Sequence, residues 1–267
     1  MSLRLMSYNI RYGGGGRESA LAKTIRAIDP DVVLLQEATH PAVVETIARA
    51  AGMTAWGSRR GHSVGYLSRR PVIEAAWHPI RGSRRTFLEL VLAEPEVRLI
   101  GVHLTALHTN WMERQRVREL RALLAGLAGR EKEAIVAGDF NTLAPGEELD
   151  LGQLPRRLRI LTWLTGRTIR WQTIQVMLDG GFLDGFRLLH PDDAGHTFPT
   201  WRPHVRLDFV FVPGSFANRL RRCEVAKASG DAEASDHFPL VAELDFTPAG
   251  PPVTASEGPT GQAKPGH

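Results

Sequence analysis

Residues 134–141 read Ala-Ile-Val-Ala-Gly-Asp-Phe-Asn, an apolar run that closes on Gly138, Asp139, Phe140 and Asn141. Four apolar residues in succession fit a buried strand, and the polar cluster marks where that strand leaves the core. The same form recurs along the chain. Residues 3–10 reach Asn9, residues 32–37 end on Glu37, and residues 97–103 end on His103. Two further runs carry the polar group in front: Asp208 before Phe209-Val210-Phe211-Val212, and Asp236-His237 before Leu240. Together with residues 63–68, 87–93 and 240–245, these runs predict a strand-rich framework.

Helical periodicity lies between the strands. Leu21, Ile25 and Ile28 fall on one face, and Asp29-Pro30 stops that helix. Pro41 suits a first turn, Val44, Ile47, Ala48 and Ala51 face inward, and Gly52 closes the C-terminus. Residues 111–128 form the longest pattern, with Val117, Leu120, Leu124 and Leu127 as a stripe and arginines opposite. Glu94-Pro95-Glu96 between two apolar runs reads as a hairpin turn, so part of the sheet is antiparallel, while strand-helix-strand order elsewhere implies crossovers. The expectation is a mixed α/β protein with two packed sheets and outer helices. Residues 1–246 read as one domain. Residues 247–267, rich in Pro, Gly, Ser and Thr, read as a disordered tail.

Bulk composition narrows the function classes. Apolar residues make up 43% of 267, enough for a sizeable core, yet no stretch approaches the ~20 apolar residues of a membrane span. A single cysteine, Cys223, excludes an internal disulfide and fits a reducing compartment, with cytoplasm as the default. Net charge is only +4, but Arg59, Arg60, Arg69, Arg70, Arg81, Arg84 and Arg85 cluster against one Glu74. Arg156, Arg157, Arg159, Arg167 and Arg170 form a second basic region. Such clusters suit an anionic partner or a solvated face, and composition alone does not choose. Residues 154–181 suggest one or two basic amphipathic helices, which cap a core more often than they contact a membrane surface.

In a sheet with mixed strand directions, the ends of some strands and the starts of others share one edge. Asn9, Glu37, His103, Asp139, Asn141, Asp208, Asp236 and His237 can therefore converge. Four carboxylates packed together repel unless a hard cation neutralises them, and oxygen-rich sites suit Mg²⁺ or Mn²⁺ over zinc. Two imidazoles add proton transfer near neutral pH. Metal, carboxylates and imidazoles suit attack of water on phosphorus. Each element taken alone has a plainer reading. Gly138-Asp139-Phe140-Asn141 fits a turn, Glu37 a first-turn acid, and His103 a satisfied core histidine. Ser235-Asp236-His237 fits a strand cap, and Asp208 a partner for Arg206. All of them arise in order at strand ends, which chance alone rarely supplies.

With these residues in hand, the chain resembles the endonuclease/exonuclease/phosphatase superfamily. The resemblance lies in Ser7-Tyr8-Asn9-Ile10-Arg11, Leu34-Leu35-Gln36-Glu37, Val102-His103-Leu104, Gly138-Asp139-Phe140-Asn141, Arg206-Leu207-Asp208-Phe209-Val210 and Ser235-Asp236-His237. It implies a four-layer α/β-sandwich and a Mg²⁺-dependent phosphoesterase, with Mn²⁺ as the alternative ion. It also implies Glu37 as the principal metal ligand, with Asn9 and Asp236 beside the ion. Asp139 would activate the attacking water, held by Asn141, and Asp208 would orient His237. His237 would act as base or donor, and His103 would donate to the phosphate or leaving oxygen. Whether Asp139 or His237 is the base stays open. Tyr66 and Ser68 match the pattern near the site, and Arg114 with Gln115 follows the His103 strand as a pair common in this family. Thr197-Phe198-Pro199-Thr200-Trp201-Arg202 resembles a group of small bacterial members, and Trp201 with Arg202 is a candidate substrate contact. DNA or RNA phosphodiesters lead as the substrate class, a lipid or sugar phosphate headgroup comes second, and a non-catalytic binding module third.

Overall fold

The computed structural model describes residues 1–106, 109–130, 133–147, 171–227 and 231–247. Strands β1 (Ser2–Asn9), β2 (Val32–Gln36), β3 (Ala55–Gly57) and β4 (Val64–Ser68) join β11 (Leu220–Val225) and β12 (Leu240–Asp245) in one six-stranded sheet, ordered β11-β12-β1-β2-β4-β3. The second holds β5 (Val72–Pro79), β6 (Thr86–Leu92), β7 (Val97–His103), β8 (Ala134–Asp139), β9 (Phe182–Asp184) and β10 (Asp208–Pro213), ordered β5-β6-β7-β8-β10-β9.

Period-two alternation places the residues of each strand on two faces. Leu3, Leu5, Leu34 and Val64 of the first sheet meet Leu90, Leu99, Ile135 and Val210 of the second in the central core. The alternate residues face outward. Met6, Tyr8, Val33 and Leu35 pack under α1 (Glu18–Ile28) and α2 (Pro41–Ala51). Ile100, Val102, Val136, Phe209 and Phe211 pack under α3 (Asn110–Gly126) and α4 (Thr173–Asp179). Helix, sheet, sheet and helix make the four layers that the sequence implies.

The helix signals hold. Pro41 opens α2 and Gly52 closes it at φ 70, while Asp29 takes the left-handed cap of α1 at φ 54. Thr109 caps α3, its hydroxyl accepting the Met112 N–H at 3.2 Å. One feature of α3 differs from expectation. Arg116 and Glu113 lie on its buried face with Leu120 and Leu123, rather than opposite the apolar stripe. Their side chains pair at 2.8 Å, which satisfies the buried charge.

Strand polarity sets up everything that follows. β1 runs parallel to β2, and β7 parallel to β8 with His103 beside Asp139. β10 runs antiparallel to β8 with Asp208 opposite Asp139, and β12 antiparallel to β1 with Leu240 opposite Ser7. The ends of β1, β2, β7 and β8 therefore share an edge with the starts of β10 and β12. Asn9, His103, Asp139 and Asp208 also share the parity of the inward-facing core residues on their strands. They cap the inter-sheet core instead of pointing to the helices.

Strands β3, β5, β9 and β11 lie beyond the sequence reading. All four are sheet edges; β5 is only partly buried or exposed along its length and β11 mixes exposed with buried residues, so neither alternates cleanly. The Arg59–Arg85 run does not form one free patch. Arg69 pairs with Asp29, Arg70 Nε lies 2.8 Å from Asp31, and Arg59 sits 4.4 Å from the Trp77 ring centroid. The second basic region and residues 248–267 lie outside the described residues, as do residues 154–170 of the amphipathic segment. Within α4, Ile174 and Met177 are buried, so that part of the segment caps the core. Among the described residues no helix is long and apolar enough to cross a membrane.

Gly138 fixes the closest approach in the second sheet. A Cβ there would lie 2.0 Å from the Val102 carbonyl oxygen, a backbone atom that cannot yield. Gly138→Ala is expected to cost about 3 kcal/mol, the upper end of overpacking penalties, because β7 and β8 must separate. Urea unfolding measures it, and a midpoint equal to wild type contradicts the packing described.

Candidate active site

The site stands on a polar layer. Below the rim, Gln36 Nε2 donates to Ser7 Oγ at 3.3 Å and to the Leu34 carbonyl at 3.1 Å. Above it, Asn9 organises the acids. Its Oδ1 accepts the Arg11 N–H at 2.9 Å, which turns the amide NH₂ toward Asp139 Oδ2 at 3.0 Å and Glu37 Oε1 at 3.4 Å. Asn9 therefore spaces two carboxylates, and its oxygen is already engaged. A second lone pair of that oxygen stays open toward an ion beside the acids. Tyr12 N–H donates to the other Glu37 oxygen. Arg11 Nε lies 3.4 Å from Asp236, and Ser235 Oγ donates to the Asn9 carbonyl at 2.6 Å. Asp236 is thereby tied to the end of β1.

Several of these residues hold left-handed backbone that side chains rarely adopt: Arg11 (φ 51), Tyr12 (φ 48), Glu37 (φ 59) and Asn141 (φ 52). Such conformations persist only where surrounding bonds over-determine them, and they concentrate at functional sites. At Asn141 the reward is visible, since its N–H donates to Asp139 Oδ1 at 2.8 Å while Nδ2 donates to the Leu104 carbonyl at 3.2 Å.

Two imidazoles flank Asp139. His237 Nε2 lies 3.8 Å and His103 Nε2 3.9 Å from Asp139 Oδ2. Both spacings exceed a hydrogen bond and leave a gap that an oxygen atom can bridge. His237 Nδ1 pairs with Asp208 Oδ2 at 2.8 Å. Asp208 therefore serves His237 rather than Arg206, whose guanidinium bonds Glu147 and Asp184.

Burial drives the protonation pattern. It pulls His237 down, but the charge and hydrogen bond of Asp208, with Asp139 and Asp236 behind, overcome it and raise the imidazole to about 9. Burial pushes the Asp139 carboxyl up to about 7; the His237 charge opposes this, and the Asp208 charge reinforces it. His103 moves the other way. Burial, then the positive charges of Arg85 and His237, hold it well below the ordinary histidine range. Near neutral pH, His237 is a cation and His103 is neutral.

Arg85 is the residue that sequence reasoning missed. Its Nη1 lies 3.5 Å from His103 Nδ1, and a guanidinium only donates. Nδ1 must therefore accept, which leaves the His103 proton on Nε2, facing Asp139. Arg85 is itself positioned. Ser83 Oγ accepts the Arg85 N–H at 3.0 Å and donates to Glu119 of α3 at 2.6 Å. Glu119 also accepts the Thr105 N–H at 3.1 Å, just beyond His103. Arg85→Gln is expected to lower turnover of a phosphodiester by about 10-fold, with little change in KM, because the tautomer is no longer imposed. Steady-state kinetics check it, and an unchanged kcat contradicts the role.

The remaining expected residues separate into two groups. Tyr66 is buried in the inter-sheet core with its ring 6.3 Å from Trp77, and no described contact joins it to the acids. Ser68 donates to the Arg70 carbonyl, also away from the rim. Arg114 is exposed on α3, and the arginine that supports the site from that helix is Arg116, which donates to the Thr105 carbonyl at 2.8 Å. Its partner Glu113 accepts from Thr142 Oγ1 at 2.9 Å, bracing the turn after Asn141. Phe198 packs its ring 4.8 Å from that of His237, as a loop packing on the sheet, while Trp201 and Arg202 beside it stay exposed.

Asp139, Asp208 and His237 present ligand atoms within 4.8 Å of one another, one place able to take a cation. Asn9 also draws one oxygen of Glu37 and one of Asp139 to its amide, while Asp236 lies against Arg11. Four acids against Arg11 and one imidazolium make a donor set that a hard divalent ion fits.

A two-sheet sandwich with acids and imidazoles on one rim defines a class of phosphoester hydrolases that use divalent metals. The chain belongs to the Endonuclease/Exonuclease/phosphatase family, whose sequence profile matches residues 6–237. No match was found among curated proteins. Among solved structures, the chain is similar to an AP endonuclease from Archaeoglobus fulgidus, with a TM-score of 0.69 and 18% identity over 91% of this chain and 100% of that one. It is also similar to the 3′ phosphatase NExo from Neisseria bound to product DNA hairpin (TM-score 0.68, 18% identity, 91% and 100% covered). A third is TDP2 from D. rerio complexed with single strand DNA product (TM-score 0.64, 19% identity, 92% and 99% covered).

Proposed function

We propose that the protein is a Mg²⁺- or Mn²⁺-dependent phosphodiesterase acting on DNA or RNA by attack of water. The observation that carries this reading is Asp139, held by Asn9 and Asn141 between two imidazoles with opposite protonation. Glu37 and Asp236 would hold the cation, with Asn9 fixing the spacing of Glu37 and Asp139. The bound ion supplies neutralisation of the carboxylates and electrostatic stabilisation of the anionic transition state. Asp139, with a carboxyl near neutrality, takes the proton of the attacking water. His237, held as imidazolium by Asp208, donates from Nε2 to a phosphate oxygen. His103, neutral, donates a hydrogen bond from Nε2 to the phosphate and keeps its proton, and the leaving oxygen takes its proton from the His237 imidazolium or from solvent.

Support for a nucleic-acid substrate comes from the DNA-bound structures to which the fold is similar and from arginines on the rim. A lipid or sugar phosphate headgroup is the competing substrate. A binding module without catalysis is disfavoured, since none of the catalytic positions is replaced. The lone cysteine, Cys223, has no partner cysteine for an internal disulfide, which suits a reducing cytoplasm. Turnover of bis-p-nitrophenyl phosphate with Mg²⁺, abolished by EDTA, tests the reading. Supercoiled plasmid nicking against headgroup release from liposomes divides the substrate classes. Absence of any turnover in either metal would sink the enzyme assignment.

A further inference from the structure

We infer that Tyr12, Trp111 and Trp201 form a ring of stacking platforms around the site, so that the substrate is a nucleic-acid strand with unpaired bases. The inference rests on the phosphodiesterase reading above and adds the form of the substrate. These three are the aromatic residues left largely in solvent among the described residues, at 79%, 68% and 64% exposure. Exposed aromatics scattered singly over a surface mean nothing. These are not scattered.

Each leaves the fold beside a residue of the site. Tyr12 follows Asn9 by three positions, and its own N–H bonds Glu37. Its backbone, like that of Arg11, is left-handed, and its ring stays in solvent. Trp111 lies in the first turn of α3, which starts just beyond His103 and whose Glu113 braces Thr142 next to Asn141. Trp201 lies 6.4 Å from Phe198, whose ring packs on His237. The three residues therefore branch from chain segments that contact Glu37, the turn after Asn141, and His237.

Each ring also has an arginine neighbour. Arg11 sits 5.4 Å from the Tyr12 ring centroid, Arg202 follows Trp201, and Arg114 lies one helical turn from Trp111. An aromatic face for a base beside a guanidinium for its phosphate is the chemistry of single-strand binding. Bases inside a duplex are stacked on each other and offer no face, so only unpaired nucleotides can use all three rings.

The test compares cleavage of a 5′-labelled single-stranded oligonucleotide with that of the same sequence as a blunt duplex, at fixed salt. Tyr12→Ala, Trp111→Ala and Trp201→Ala are each expected to raise KM for the single strand about tenfold, the scale of one lost base stack. Tyr12→Phe, Trp111→Phe and Trp201→Phe should restore most of it, because the ring and not the polar group is needed. The duplex should show a smaller change. Alanine variants that cut the single strand as wild type does, or that lose equally on both substrates, overturn the inference. Wild-type protein that turns over bis-p-nitrophenyl phosphate but cuts neither nucleic acid also overturns it, while the phosphodiesterase reading survives. Absence of bis-p-nitrophenyl phosphate turnover would remove the parent reading instead.

Discussion

Asp139→Asn is expected to lower turnover of bis-p-nitrophenyl phosphate by about 10²–10⁴-fold, the usual contribution of a positioned base. The substitution is nearly isosteric, and the amide oxygen can still accept the Asn141 N–H that Oδ1 accepts now. What it removes is the buried charge and the proton acceptor between His103 and His237. Stability should change little. The folded state raises the Asp139 carboxyl from 3.8 to about 7, so it favours the neutral form, and this carboxylate costs stability increasingly as pH rises from 3.8 through 7. The asparagine NH₂ would face the Asn9 NH₂ that now donates to Oδ2, a lost hydrogen bond of about 1 kcal/mol that the relieved charge offsets, so at pH 8 the metal-free variant should melt close to wild type. Lost activity with retained Tm separates catalysis from folding. Full activity in the variant would remove Asp139 from the mechanism.

Asp208→Asn carries the second large effect, and it is read as a pH profile. Asp208 is the largest of the influences that hold His237 up at about 9 against its burial. Without that anion the imidazole loses its proton at lower pH. The alkaline limb of kcat/KM, expected near 9 in wild type, should then move acidic by about a unit or more, with a loss of about 10-fold or more at pH 8. Stability follows the same group. The His237–Asp208 pair contributes fully below 6.5 and loses its contribution as pH climbs through about 9, so wild type should lose stability over that window and the variant should not. An unshifted alkaline limb would mean that His237 does not act as the cationic donor.

Much of this was legible in the sequence because strand geometry is periodic. A polar residue at the end of an apolar run, in phase with its inward positions, must cap the core between the sheets. Asn9, His103, Asp139 and Asp208 all obey that rule. Register supplied the rest of the convergence, since the Glu94-Pro95-Glu96 hairpin already required mixed strand directions. The parts that escaped depend on atoms rather than periods. Arg85 reaches His103 only because β6 and β7 pair as a hairpin and Ser83 is anchored by α3. Asn9 was expected beside the ion, and what the sequence did not show is that its amide NH₂ spaces Glu37 and Asp139 while its oxygen accepts the Arg11 N–H. Tyr66 matched a pattern, but its parity with Val64 places it in the core. Arg114 drew attention, with Gln115, as a pair common in the family after the His103 strand, whereas Arg116 shares the face of Glu113, Leu120 and Leu123 and does the bracing. That phase was present in the sequence. Edge strands such as β5 gave no clean alternation, because only part of each is buried.

Spin-resonance titration of Mn²⁺ tests the central claim most directly, namely that acids from distant strands assemble one divalent-cation site. Wild-type protein should bind Mn²⁺ at a saturable site that Mg²⁺ displaces, and Glu37→Gln and Asp236→Asn should each weaken that binding at least about tenfold. Equal Mn²⁺ binding by wild type and both variants, or none by wild type, would contradict it.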